Sequence, residues 1–455
     1  MRQKSKLPTI IFFLLFIATV TGVVFVLNSA TFEQQKPQIK LPSGEFINLS
    51  NPLKVSISDP SLIKEYRVEV NSGGEKIVLS NEILMKHLQN IELSLKLPRS
   101  LYRSKSNKLT LSVYAKDASK WNFFDGNSAI VQKHFTIDKK RPTVSIISNS
   151  YKIRKGGSAL VIFSAKDDNL RSLYIDTNFG KKFKPQPFYK NGYYVSLLAW
   201  PVTQKNFKAT IVATDKAGNV TKKSIPFYLK DKFYKVSKIK LSNNFLDGKI
   251  AELAEEFEET QGIEGKIKKF KIINEDVRKK NEDMIHKITS KVSNKRVSDF
   301  HLNKLYPLKN AAVVASFGDH RKYFYNGKQV SSSNHLGLDL ASVSHGAIKT
   351  QNSANVVYSD YNGLYGNMPI LYHGLGLYTL YGHCSSSDVQ EGDSVHKGSK
   401  IANTGKSGYA MGDHLHFGVL VQGIEVRPEE WMDSDWMKAN VKDVMNSAKK
   451  IIDRK

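Results

Sequence analysis

Two short motifs in this chain carry side chains that can do metal chemistry: His335-Leu-Gly-Leu-Asp339 and His414-Leu-His416. Two imidazoles plus one carboxylate suit a zinc ion, with a fourth position left for water. Both spacings are even. On a strand, residues two or four apart face the same side. His335 and Asp339 are therefore expected to point into one cleft, and so are His414 and His416. A lone pair of this kind is what surface or core histidines produce by chance. Here the two occur together, and eight of the twelve histidines lie between His320 and His416. One of them closes Tyr381-Gly-His383, preceded by Gly374-Leu-Gly-Leu-Tyr-Thr-Leu380. The glycine-rich run from Gly398 to Phe417 fits turns and close backbone approach rather than a long helix.

Taken in order, these elements resemble the lysostaphin-type zinc endopeptidases, which cut peptidoglycan peptide bridges. That family shows His-x-x-x-Asp, then Tyr-x-His, then a Gly-x-[ST]-Gly turn leading into His-Leu-His-Phe. The turn here is Gly405-Lys-Ser-Gly408. Flanking features also match: Ser316-Phe-Gly-Asp-His-Arg321, Glu391-Gly-Asp-Ser-Val395 and Arg427-Pro428. The resemblance covers residues 307–430. It implies that His335, Asp339 and His416 bind zinc (Zn2+), with water at the fourth position. It also implies that His383 and His414 sit beside that position, one moving a proton and the other stabilising the oxyanion. Three positions depart from the pattern: Cys384, Ala402 and Asp413. None removes a ligand or a catalytic histidine, although Asp413 can alter the loop that carries His414. His320, His345, His373 and His396 lack the spacing and read as surface or structural residues. Cys384 reads as a small buried residue. As the chain's single cysteine it excludes an internal disulfide framework.

The elements around this region must deliver it to a wall. Leu7 to Leu27 holds no charged residue and follows Arg2, Lys4 and Lys6. About 20 apolar residues span a bilayer, and the positive flank places the N-terminus in the cytoplasm. A cleaved signal peptide is the second reading; its apolar core is usually only about 7–15 residues. The formal charge of +26 is uneven. Residues 307–430 hold nine Lys/Arg against ten Asp/Glu, while residues 28–232 hold 34 against 16. The basic half fits an anionic wall or lipid surface. Nucleic acid is not expected as a partner, because the membrane segment puts this half outside the cytoplasm.

Residues 31–138 and 139–232 read as two immunoglobulin-like β modules, from short alternating stretches such as Leu109–Ala115, Thr143–Ile147, Ala159–Phe163 and Ala209–Ala213. A weak repeat supports two copies: Ser112-Val-Tyr-Ala-Lys-Asp117 resembles Thr210-Ile-Val-Ala-Thr-Asp215. Asp215-Lys-Ala-Gly-Asn219 resembles a turn of bacterial immunoglobulin-like domains. Residues 233–300 read as a linker and helical hairpin, with Ile250, Leu253 and Phe257 and then Ile267, Phe270, Val277, Met284 and Ile288 at helical spacing. Asn274 and Asn281 fall in the same rhythm, and a partner-binding coiled coil is the alternative use of this stripe. The resemblance implies that residues 301–430 form an antiparallel β-sheet metallopeptidase domain, and 431–455 read as a helical tail. The expected protein is multidomain and mainly β, with residues 1–30 as a single-pass membrane anchor. Its catalytic domain is expected in the periplasm or outside the cell, and its substrate is peptidoglycan. A non-catalytic wall-binding scaffold or hydrolase activator, and a secreted protease acting on protein, are the other readings.

The charge asymmetry predicts that binding of residues 31–232 to isolated sacculi or anionic vesicles weakens steeply as salt rises, since exposed charges are screened over about 10 Å at about 0.1 M. Residues 300–455 alone should respond little. Sedimentation across a salt series checks both, and a stronger salt dependence of the catalytic fragment would reverse the assignment.

Overall fold

The computed structural model describes residues 6–454; Arg2 and Lys4 of the positive flank lie outside them. Leu7–Asn28 is one helix, long and apolar enough to cross a membrane, with Pro8 in its first turn. Proline fits there because the first helical N–H groups have no partner to lose. Beyond it the chain is mainly β with a few helices. It divides into two compact units: Met1–Pro142 with Asp168–Arg171 and Thr214–Val220, and the remainder.

In the first unit, six strands between Gln38 and Ile137 hydrogen-bond into one sheet. Its longest feature is a hairpin, Leu53–Ser72 against Glu75–Leu95, turned at Gly73-Gly74. Both glycines have positive φ, 63° and 91°, as tight hairpin turns demand. Val55, Ile57, Val68, Val70, Leu111 and Val113 form its core. Sequence reading found the strand at Leu109 but not this hairpin. Its signal was present in the alternation of Val68 and Val70 with Ile77 and Leu79 around the two glycines.

In the second unit, strands between Thr143 and Ser224 form two four-stranded sheets. Val236–Lys240, inside the stretch read as helix and linker, is a strand paired in parallel with His320–Tyr325. The helical stretch follows as two runs, from Asn243 to Glu256 and from Lys266 to Thr289, each with a π-turn inside it. Gly262 and Gly265 lie between the runs.

The large eight-stranded sheet carries the sequence motifs, and the order of its strands places them. Leu415–Val421 lies between Leu338–Ala341 and Leu377–Gly382, all antiparallel. Successive side chains alternate faces. Leu415, Phe417, Val419 and Val421 enter a core shared with the strand Ser158–Lys166 and the C-terminal tail. Leu420, with Tyr378 and Leu380, enters a second core made with Ile250, Leu253, Phe270, Ile273 and Val277 of the helical runs. The apolar stripe is thus buried on the chain's own sheet rather than left for a coiled-coil partner. Asn274 and Asn281 belong to that contact: Asn274 Nδ2 donates to Ser331 Oγ at 2.8 Å, and Asn281 Oδ1 accepts from Leu364 N at 2.9 Å.

The tail runs through Pro428–Trp431 and Ser434–Met437 to Asp443–Asp453. Trp431 is fully buried and its Nε1 donates to Ser158 Oγ at 3.1 Å; the neighbouring Glu430 accepts from Ser158 N at 2.9 Å. Removing a buried tryptophan side chain costs about 3–5 kcal/mol. Trp431→Ala should therefore lower the thermal midpoint of the second unit by several degrees, read by calorimetry on residues 29–455. An unchanged midpoint would show that the tail does not hold that core.

Candidate metal centre and active site

The alternation that buries Leu415 and Phe417 on one face leaves His416 on the other. In the same way Leu338 and Leu340 are buried and leave Asp339 between them. Asp339 and His416 are direct cross-strand partners. Gly382 lies opposite His416 on the other flank, so His383 emerges beside it. His335 comes from the loop before Leu338–Ala341, where its backbone is bonded to Asp319 O and Gly318 N.

Three atoms converge. His335 Nε2 and His416 Nδ1 each lie 2.9 Å from Asp339 Oδ1 and 3.1 Å from one another. His335 Nδ1 sits 2.9 Å from the Ser316 carbonyl, which can only accept. That nitrogen carries the proton, so the Nε2 turned to Asp339 is bare. Two nitrogen lone pairs and a carboxylate oxygen so close together repel one another unless a cation sits among them. Tetrahedral ligands at about 2.0–2.1 Å from zinc lie about 3.3 Å apart. The donor set and its spacing fit that ion with only a slight opening.

His383 and His414 stand beside this cluster with ring centroids 4.9 Å apart. Each is held by its Nδ1: His383 donates to Ser407 O at 2.9 Å and His414 to Gly412 O at 2.8 Å. Both leave Nε2 free, and His414 Nε2 is 3.7 Å from Asp339 Oδ1. His383 adopts φ +64°, unusual for a residue with a Cβ but tolerated by histidine; its N–H donates to Tyr365 O at 2.7 Å. All five residues line one cleft of about 300 Å3, walled also by Phe245, Arg278, Tyr365 and Tyr409.

Burial governs the electrostatics. It pushes His383 down to about 3, helped by the neighbouring His416 and His414, and His416 down to about 4. Both are therefore neutral near pH 7.

Several contributors lie outside the five motif residues. Arg321 Nη2 is 3.6 Å from Asp339 Oδ2. Tyr365 packs edge-on against His416, centroids 5.3 Å apart. Asp413, where the family pattern often has proline, accepts from His345 N, Ser344 Oγ and Thr404 Oγ1, tying the loop before His414 to two others. Arg321 and Asp413 were visible in the sequence as flanking residues, without a role. Cys384 is fully buried, donates to Tyr381 O and has its thiol pushed up to about 12 by burial. It is not among the converging donors. His320, His345, His373 and His396 also stand apart from them.

Residues 333–428 match Peptidase family M23, so the chain carries an M23 domain in its C-terminal part. The match is narrower than residues 307–430 and leaves Ser316–Arg321 outside. Among curated relatives, this chain is 29% identical over 136 residues to the peptidoglycan DD-endopeptidase ShyA of Vibrio cholerae serotype O1, covering 30% of this chain and 29% of that one. It is 31% identical over 94 residues to the DD-carboxypeptidase/endopeptidase Mpg of Neisseria meningitidis serogroup B, covering 21% and 22%. It is 33% identical over 85 residues to the murein hydrolase activator EnvC of Escherichia coli K12, covering 19% and 20%. The chain thus spans less than a third of the length of these relatives.

Gly337 has a strict role in this geometry. A Cβ built there would meet His416 Nε2 at 2.6 Å and Phe417 O at 2.8 Å. Gly337→Ala should displace the His416 ring and weaken zinc retention by at least about tenfold, the size of effect seen when a metal ligand's supporting contacts are lost. Metal analysis after dialysis, with circular dichroism to confirm folding, reads this directly; full retention would show that the ring has room to spare.

Proposed function

We propose that this chain is a membrane-anchored zinc endopeptidase that hydrolyses a peptide bond in peptidoglycan stem peptides or cross-bridges. The observation that carries the reading is the convergence of three candidate metal-binding atoms next to two imidazoles, His383 and His414, each fixed through Nδ1. The metal ligands are His335, Asp339 and His416. Zinc held there would lower the pKa of a bound water towards about 7 and would polarise the scissile carbonyl.

The chain's own residues do the rest. His383 and His414 are fixed through Nδ1, so each presents one nitrogen in one orientation. One accepts the nucleophile's proton and returns it to the leaving amine; the other donates to the developing oxyanion. The walls from Phe245 and Tyr409 help to exclude water, which strengthens each of these interactions. Arg321 holds the second Asp339 oxygen, keeping the first turned to the metal position.

Leu7–Asn28 would fix the N-terminus in the cytoplasm and hold the catalytic domain on the outer side of the membrane. The two β modules, which we read as immunoglobulin-like, act as spacers and as the basic contact with the wall. The EnvC relative supports a second reading, in which the domain activates another hydrolase without cutting.

Digestion of purified sacculi by the zinc-loaded protein, with mass spectrometry of the fragments, separates the two. New peptide termini are expected with the natural chain. Asp339→Ala and His416→Ala should lose metal and activity together. His383→Ala and His414→Ala should keep zinc and lose activity by a factor of about 100 or more. Intact sacculi with zinc-loaded natural protein would favour the activator, and stoichiometric zinc in Asp339→Ala would remove that residue from the ligands.

A further inference from the structure

A second set of converging side chains lies in the first unit, far in sequence from the M23 domain. Glu33, Asp59 and Asp117 each offer a carboxylate oxygen, and these oxygens all lie within 4.8 Å of one another. They come from three separate segments. Glu33 follows the short turn Ala30–Phe32 that leaves the apolar helix. Asp59 sits where the long strand Leu53–Ser72 breaks register between Ser58 and Ile63. Asp117 ends Lys108–Asp117 and is the aspartate of the repeated Ala-x-Asp turn noted in the sequence.

The local hydrogen bonds account for most of these oxygens. Asp117 Oδ1 accepts from Ser119 N and Asn127 N, and its Oδ2 accepts from Asn127 Nδ2. Glu33 accepts from Gln35 N and from Ser61 Oγ. Asp59 Oδ1 accepts from Ser61 N at 2.7 Å. Asp59 Oδ2 accepts from nothing, although the residue is only 2% exposed. A buried carboxylate oxygen left without a partner costs folding free energy. Among the described residues no lysine, arginine or histidine is ion-paired with any of the three. Nearby Lys116 is paired with Asp125 instead.

We propose that Glu33, Asp59 and Asp117 bind a calcium ion. The donor set is entirely oxygen, which selects a hard cation over zinc. Three charged ligands from two strands and a turn suit calcium's flexible shell of six to eight oxygens; magnesium demands a near-ideal octahedron. The unpartnered Asp59 Oδ2 supplies the free ligand position. Burial, with Asp117 and Glu33 beside it, pushes the Asp59 carboxyl up to about 6, the strain that a bound cation relieves. The consequence is mechanical. Ser119 Oγ and Asn127 Nδ2 already hold Glu33 O, and Lys120 N holds Thr31 O. Calcium would complete this clamp and fix the path by which the chain leaves the apolar helix and enters its first β module.

The test uses the full chain in detergent, stripped of metal and reloaded with one equivalent of zinc. Calorimetric titration with calcium chloride should show one site with a Kd of about 10⁻⁴–10⁻³ M. Calcium should also raise the thermal midpoint of the first unit. Terbium should bind in its place and luminesce through Trp121, whose N–H is bonded to Ser119 Oγ. Asp59→Asn should weaken calcium at least tenfold without changing zinc content. Should that variant not fold, the more accessible Glu33→Gln gives the same reading. The proposal is overturned if 10 mM calcium gives neither saturable heat nor a shifted midpoint, or if both variants respond as the natural chain does. It is equally overturned if magnesium alone binds, or if acidification to pH 5.5 rather than calcium supplies the stabilisation, which would mean that the carboxylates share a proton.

Discussion

The register of one strand pair decides most of what this protein can do. Asp339 lies directly opposite His416. Because side chains alternate faces with a period of two, a slip of one residue would turn His416 into the apolar core and bring Leu415 or Phe417 to the metal position. Such a slip would expose residues that are fully buried. The core therefore enforces the site: the free energy that buries Leu415, Phe417 and Val419 is the same free energy that holds the imidazole beside the carboxylate. His335 and His383 then need only loops of fixed conformation at the strand ends, which the bonds to Asp319 O and Tyr365 O provide.

Both faces of that central sheet are covered by parts of the same unit. One face packs on the strand Ser158–Lys166 and the C-terminal tail, the other on the helical runs between Asn243 and Thr289. The helical side is also the side of the metal cluster, so Phe245 and Arg278 become walls of the cleft. What reads in the sequence as an upstream linker thus contributes to the shape that a substrate meets. A soft-walled open groove would leave the imidazoles solvated. Burial here keeps His383 and His416 neutral near pH 7.

The sequence was most legible where chemistry restricts residue type. The five motif residues do line one cleft, although His335 and His414 lie just outside the strands that carry Asp339 and His416. The apolar helix and the helical stripe were legible for a similar reason, a long periodic pattern. The rest was hidden because its logic is tertiary. The hairpin Leu53–Leu95 carries many polar residues on its exposed side, which blurs the alternation. Val236–Lys240 is a strand only because His320–Tyr325 offers an edge to it. The role of Gly337 depends on where His416 packs, and that of Asp413 on loops some 70 and 9 residues away in the chain. Spacing along a sequence cannot encode such contacts.

The two carboxylate clusters show how neighbours choose the ion. Around Asp339 the partners are imidazoles, whose borderline-soft nitrogens favour zinc and leave protons available for catalysis. Around Asp59 the partners are carboxylates, hydroxyls and backbone groups, which cannot move a proton near pH 7 with comparable ease and favour a hard cation held for structure. The two clusters are built alike: two donors come from strands, Asp339 and His416 in one and Asp59 and Asp117 in the other, and the third, His335 or Glu33, comes from a loop or turn beside them. What separates the two proposed ions is therefore the chemistry of the donors and not the rigidity of the elements that carry them.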